Sequence, residues 1–143
     1  MDQSSFEGLL ALSRAAKSIP AAERASAVEG LYATGHWLLS RERYADAADV
    51  LRAMTLVAPE DERAWIALGS AHEGAGQLEV AKEIYAAGCT LARPSGRCGV
   101  ALVRALRQLG ERSEAEAVLE QLEDSNQDDD ELTSLLAYER RAA

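Results

Sequence analysis

An all-α fold is what this sequence predicts: three antiparallel helix pairs stacked in a row, with a further helix before them and another after them. Three observations carry that reading. A 34-residue period runs through the middle of the chain. The residues are those of helices rather than sheets, 48% apolar but only 5% aromatic, with few β-branched side chains. The few prolines favour helix over sheet, and two of them, Pro59 and Pro94, fall where the second helices of the first two units should stop. Small apolar side chains let helix backbones approach closely. At 143 residues the chain makes one domain with one continuous core.

In chain order, Phe6, Leu9, Leu10, Leu12 and Ala16 recur at helical spacing, which predicts an amphipathic N-terminal helix broken by Ser18-Ile19-Pro20. Pro20 reads as the first residue of a helix that runs on into the repeats. The stripe Phe6, Leu9, Leu10 is a surface either for a second copy of the chain, giving a homodimer, or for folding back as a cap.

The repeat is read from its columns. Ala47, Ala81 and Ala115 are one, and Leu51, Tyr85 and Leu119 follow four residues later. Earlier in each unit stand Leu31, Trp65 and Gly99, then Thr34, Leu68 and Leu102, then Gly35, Gly69 and Val103. Leu38, His72 and Leu106 come one turn on, and the inter-helix link carries Glu42, Gly76 and Gly110. Trp65, Leu68, Gly69, Gly76, Ala81 and Tyr85 keep the spacing of the tetratricopeptide signature, so the fold class is an all-α, right-handed superhelical solenoid of three such pairs. The small residues of the first helix and the alanines of the second are expected at the closest approach. Gly76 and Gly110 suit a left-handed helix end, and Pro59 and Pro94 stop the second helices. The expected helices are about 28–40, 44–57, 62–74, 78–91, 96–108 and 112–124, with ends uncertain by about 2–4 residues. The division is 1–27, an N-terminal region; 28–127, the repeats (28–61, 62–95 and 96–127); and 128–143, a capping helix. In that last helix Asp128-Asp129-Asp130-Glu131 at the start and Arg140-Arg141 at the end complement the helix dipole, so the acidic run reads as a helix N-terminus rather than a metal site.

Composition excludes several functions. A net charge of −9 argues against nucleic acid and anionic lipid as partners, since both need a basic face. No stretch approaches the roughly 20 apolar residues of a membrane span. The N-terminus shows no secretory signal, so a cytoplasmic protein is expected. Cys89 and Cys98 lack zinc-ligand spacing and read as reduced thiols. His36 and His72 stand one repeat apart without a carboxylate at a useful offset, and His72 falls on a packing column. Gly69, Gly74 and Gly76 follow no strand and precede no Gly-Lys-Ser/Thr, so they form no phosphate loop. Neither catalysis, nor a metal, nor a cofactor is expected.

The repeat register does select a candidate binding face. First helices line the concave side of such a stack. Their inward positions are Tyr32, His36 and Leu39 in the first unit, then Arg63, Ile66, Ser70 and Glu73 in the second, then Arg97, Val100, Arg104 and Arg107 in the third. This groove is apolar and aromatic at one end and basic at the other, which suits an extended peptide. A clamp for a C-terminal carboxylate would need several lysines and asparagines there; Tyr32, His36, Ala67 and Ala101 occupy those positions and only Arg97 has the right charge.

From Leu31 to Leu122, about two-thirds of the chain, the sequence resembles the class II chaperones of bacterial type III secretion. The likeness lies in Leu31-Tyr32, Tyr44 with Asp46-Ala47, Arg63 with Leu68-Gly69, Gly76-Gln77, Tyr85-Ala86-Ala87-Gly88, and Gly110-Glu111 leading to Glu114-Ala115-Glu116. It implies a small cytoplasmic chaperone, dimeric through its N-terminal region in many relatives, that holds an extended segment of a translocator protein in its groove. The positions of the family's groove aromatics hold Tyr32, His36, Leu39 and Tyr44; His36 and Leu39 depart from the aromatic type, so pocket size and preference are not carried over. The other readings are a general repeat adaptor scaffolding another cytoplasmic complex and, more weakly, a regulator that sequesters a transcription factor.

Overall fold

The computed structural model describes residues 7, 8, 10, 11, 14, 15 and 17–143. Phe6 and Leu9 lie outside the described residues, while Leu10 is 40% exposed. After Pro20 the described chain forms seven helices and no strand: α1 (Ala21–Ser40), α2 (Tyr44–Val57), α3 (Glu62–Gly74), α4 (Leu78–Leu91), α5 (Gly96–Gln108), α6 (Arg112–Ser125) and α7 (Asp130–Ala142). From α2 to α6 the ends agree with the sequence expectation to within one residue. Pro20 precedes its helix rather than opening it, because its ψ of 142° is extended. From there α1 runs unbroken into the first repeat.

Successive helices pack as pairs, α1 on α2, α3 on α4 and α5 on α6, and each first helix also touches the next, α1 to α3, α3 to α5 and α5 to α7. Each turn inside a pair contains one left-handed residue, Glu42 (φ 57°), Gly76 (φ 77°) or Gly110 (φ 81°), all in the same column of the repeat. Only the first unit places a side chain in this conformation, which glycine adopts more readily.

Within a pair, the closest approach is between first-helix glycines and large second-helix side chains. A β-carbon at Gly35 would crowd Leu51, and one at Gly69 would overlap the Tyr85 ring. Both partners are buried: Leu51 is 0% exposed and Tyr85 2%. The expected alanines, Ala47, Ala81 and Ala115, are buried one turn away. They are neighbours of the close contact, whereas the larger side chain fills the glycine notch.

The chain ends on a helix that takes the place of a fourth first helix. Asp129 caps α7 by accepting from the Leu132 N–H at 2.9 Å, and Leu132 closes over Gly96. Glu139 is 3% exposed and pairs with Arg104 and Arg107 of α5; Arg107 also donates to its carbonyl at 3.0 Å. The acidic run at its start and Arg140-Arg141 at its end stand as the helix dipole requires.

Two changes test this packing. Gly69→Ala should destabilise by about 1–3 kcal/mol because the Tyr85 ring cannot give way. Gly30→Ala, where a β-carbon meets nothing within 4 Å, should stabilise by about 0.5–1 kcal/mol through helix propensity. Opposite signs in denaturant melts are expected; equal signs would remove the notch from the account. Likewise, Glu139→Ala should lower stability by about 1–3 kcal/mol, the range for hydrogen bonds to charged groups. Hydrogen exchange should find the lost protection concentrated in α7.

Candidate functional site

The face predicted from the repeat register is present between α1 and α3. Tyr32, His36 and Leu39 from α1 and Arg63, Ile66, Ala67 and Ser70 from α3 line one open cleft of about 190 Å³. That volume is below the roughly 300–1,000 Å³ of small-molecule sites, and fits a side chain or two rather than a cofactor. Six of the predicted groove residues meet here. Ala67 is added as the floor, where a larger residue would fill the cleft.

The cleft's walls are fixed by the elements that carry them. The Tyr32 and His36 rings, one turn apart on α1, lie 5.8 Å apart with a tilt of 51°. Arg63 stacks over Tyr32 at 4.7 Å from its centroid, within cation–π range. Its guanidinium is held by Glu29 across the groove at 2.7 Å and by Asp61 at 2.8 Å. Asp61 also caps α3 by accepting from the Arg63 N–H at 3.0 Å. Hydrogen bonding to Arg63, helped by its charge, holds the Glu29 and Asp61 carboxyls below their ordinary range. A depressed carboxylate lends its stability above the ordinary pKa of about 4, and loses it as pH falls through the lower folded value. The α1–α3 link is therefore intact at neutral pH. The Ser70 hydroxyl donates to the Ile66 carbonyl at 2.9 Å, so the inner wall presents little unpaired polarity.

The remaining predicted residues lie elsewhere. Tyr44 packs against Gly74, joining α2 to the end of α3, so it is a packing residue and not a wall of this cleft. Glu73 accepts from the Tyr85 hydroxyl at 2.9 Å, which ties it to the core beneath. Val100 is 3% exposed and belongs to the core with Cys98 and Val103, because α7 and its neighbours cover that part of α5. Arg97 is engaged by Asp129 at 3.2 Å, Glu131 at 2.9 Å and Glu62 at 3.8 Å. Arg104 is half exposed and touches Glu139. Trp37, outside the packing register, is 50% exposed with Arg41 over its ring at 5.0 Å.

His72 is only partly buried and shares a 2.7 Å hydrogen bond with Gln77, a tie across the α3–α4 turn. Cys89 and Cys98 are free thiols, and the Cys98 thiol donates to the Tyr85 carbonyl at 3.4 Å. Among the described residues no group of three or more His, Cys, Asp or Glu side chains is placed to hold a metal, and no helix is long and apolar enough to cross a membrane. Sequence reasoning missed Glu29, Asp61 and Glu139. The first carries a usable signal, since Glu29 and Arg63 stand one repeat apart, as do Arg97 and Glu131.

Known proteins share this fold. The family model described as tetratricopeptide repeat matches residues 62–94. No curated protein sequence matches the chain. Among solved structures, the type III secretion translocator chaperone SycD of Yersinia enterocolitica is 25% identical with a TM-score of 0.69, over 81% of this chain and 89% of that one. The same chaperone in complex with a peptide of the translocator YopD matches at 25% identity and a TM-score of 0.63, over 77% and 89%. PcrH, in complex with the chaperone binding region of PopB, has the same fold at 20% identity and a TM-score of 0.66, over 85% and 97%. Repeat register, helix order and these likenesses lead to one conclusion: the chain is a tetratricopeptide-repeat solenoid built on the architecture of the type III secretion translocator chaperones.

Proposed function

We propose that this protein is a chaperone for translocator proteins of a type III secretion system, holding an extended client segment in the first-helix groove so that the client stays soluble and competent for export. The observation that carries the reading is the cleft of Tyr32, His36, Leu39, Arg63, Ile66 and Ser70, in a fold shared with a chaperone whose structure holds a translocator peptide. An apolar client side chain entering this cleft leaves water without forcing polar groups to give up partners. The rim residues Arg63 and Glu29 are already paired with each other, so they ask for no partner from the segment.

In this reading the protein works in the cytoplasm, catalyses nothing, and needs no cofactor. Binding covers a segment that would otherwise aggregate or insert early, and release requires only competition by the export machinery. The groove site is Tyr32, His36, Leu39, Arg63, Ile66 and Ser70. Arg104 stands at the α5 end of the same face, where Arg97 is taken up by Glu62, Asp129 and Glu131, and Glu73 stands beside it. The working units are the repeats 28–61, 62–95 and 96–127, with 128–143 as the cap. The region 1–27, through Phe6, Leu9 and Leu10, supplies a homodimer contact; SycD is known in an alternative dimer.

Co-expression with a neighbouring gene's product carrying paired hydrophobic segments tests the reading. The client should remain in the soluble fraction and co-purify, and equal solubility without this protein would favour a general adaptor. In the same assay Tyr32→Ala with Ile66→Asp should abolish capture while circular dichroism stays helical. Capture that persists would move the site off the groove.

A further inference from the structure

The fold brings the chain's two cysteines together where the second repeat meets the third. Cys89 stands in the last turn of α4 and Cys98 in the first turn of α5, with only residues 92–95 between the helices. The Cys98 sulfur lies on the α4 backbone. It is 3.4 Å from the Tyr85 carbonyl oxygen, and a β-carbon on Gly88 would overlap it. In a helix that carbonyl is the one facing the N–H four residues on, which belongs to Cys89. The Cys98 sulfur is thus seated beside the backbone that carries Cys89.

The two thiols differ in access and in acidity. Cys98 is 0% exposed, whereas Cys89 packs against the same core and is only partly buried. A hydrogen bond from the Cys98 thiol pulls the Cys89 thiol below its ordinary range, against the effect of burial. The same bond, together with burial, pushes the Cys98 thiol up. One S–H therefore has two acceptors: the Tyr85 carbonyl while Cys89 is protonated, and the Cys89 sulfur once it ionises. Glu62, which accepts from the Cys98 N–H at 3.3 Å, adds a negative charge that opposes ionisation of both thiols. The thiolate is the nucleophilic form, so the reachable, more acidic Cys89 is the reactive member and Cys98 the resolving one.

We propose that Cys89 and Cys98 form a peroxide-reactive dithiol, oxidised to a disulfide that staples α4 to α5. The Cys89 thiolate attacks one oxygen of hydrogen peroxide. The O–O bond breaks, and the hydroxide that leaves takes up the proton Cys89 had released. Cys98 then attacks the sulfur of the Cys89 sulfenic acid, the S–O bond breaks, and hydroxide departs with the Cys98 proton as water. Two thiols give up two electrons, and one peroxide becomes two waters. In a reducing compartment such a bridge is transient rather than structural. It fastens the start of α5, where Arg97 holds Glu62 of α3 and Asp129 and Glu131 of α7. Neither thiol lines the Tyr32–Ile66 cleft, so the proposal stands apart from the groove reading.

The test exposes the fully reduced chain to a small excess of hydrogen peroxide and blocks the remaining thiols after denaturation. Peptide mass mapping should find Cys89 joined to Cys98 within one chain, at a mass lower by two hydrogens. A dithiol reductant should then return both thiols. Cys98→Ala removes the resolving thiol with little change in the core, since a buried cysteine packs as a small apolar residue. In that variant dimedone should trap Cys89 as the sulfenic acid, whereas the parent chain should trap little. Cys89→Ser should leave Cys98 reduced at the same dose, and circular dichroism checks that both variants fold. The parent chain decides the matter even where a variant does not fold. Both thiols still blocked after peroxide, Cys89 oxidised further while Cys98 stays reduced, or bridges found only between separate chains would each overturn the proposal.

Discussion

The constraint on which this fold depends is complementary volume between the two helices of each pair. At one crossing the repeats place Gly35 with Leu51, Gly69 with Tyr85, and Val103 with Leu119. One turn earlier on the first helix and one turn later on the second, the corresponding residues are Leu31 and Met54, Trp65 and Gly88, and Gly99 and Leu122. The second and third units solve this second crossing in opposite ways. Trp65 sits against Gly88, whereas Gly99 receives Leu122. Where the third unit gives up its glycine at the first crossing, it gains one at the second. Close packing tolerates such exchanges because the sum of the volumes is kept. A repeat can therefore lose its signature residues and keep its geometry.

Between units, the register is held by charge as well as by apolar contact. Arg63 on α3 meets Glu29 on α1, and Arg97 on α5 meets Glu131 on α7, each pair separated by one repeat. Asp61 and Asp129, two repeats apart, cap their helices and bind these same arginines. Exposed ion pairs are individually worth at most about 1 kcal/mol. Their value here is positional: a capping aspartate whose second task is to hold an arginine fixes the rotation of the helix it begins. The same arginine then lies over Tyr32, so the cap of α3 orients a wall of the cleft.

Helix number, ends and pairing were legible in the sequence because they follow from spacing, turn glycines and prolines, all local signals. The cleft was legible for the same reason: Tyr32, His36, Leu39, Arg63, Ile66 and Ser70 share a face by register alone. What the register does not contain is whether a residue on the inner face is already engaged. Val100 occupies the column of Tyr32 and Ile66, yet it is buried in the core. Tyr44 matches the expected aromatic type, yet Gly74 lies beneath its ring, and this contact joins residues 30 positions apart that no periodicity relates. Glu139 could not be distinguished from other surface glutamates before the positions of Arg104 and Arg107 were known, since its burial is a consequence of α7 docking.

These arrangements give the groove two ends of different character. At the α1–α3 end the charged groups are bound to one another before any client arrives, so little side-chain freedom is left to lose on binding. Such a surface accepts apolar side chains by shape and tolerates variation among them, because dispersion and water release are not directional. At the α5–α7 end Arg104 and Arg107 share the buried Glu139, and among the described residues the terminal nitrogens of Arg104 have no partner. In the proposed reading, an apolar cleft whose charged neighbours are already paired would let client side chains of different sequence seat at one place on the fold.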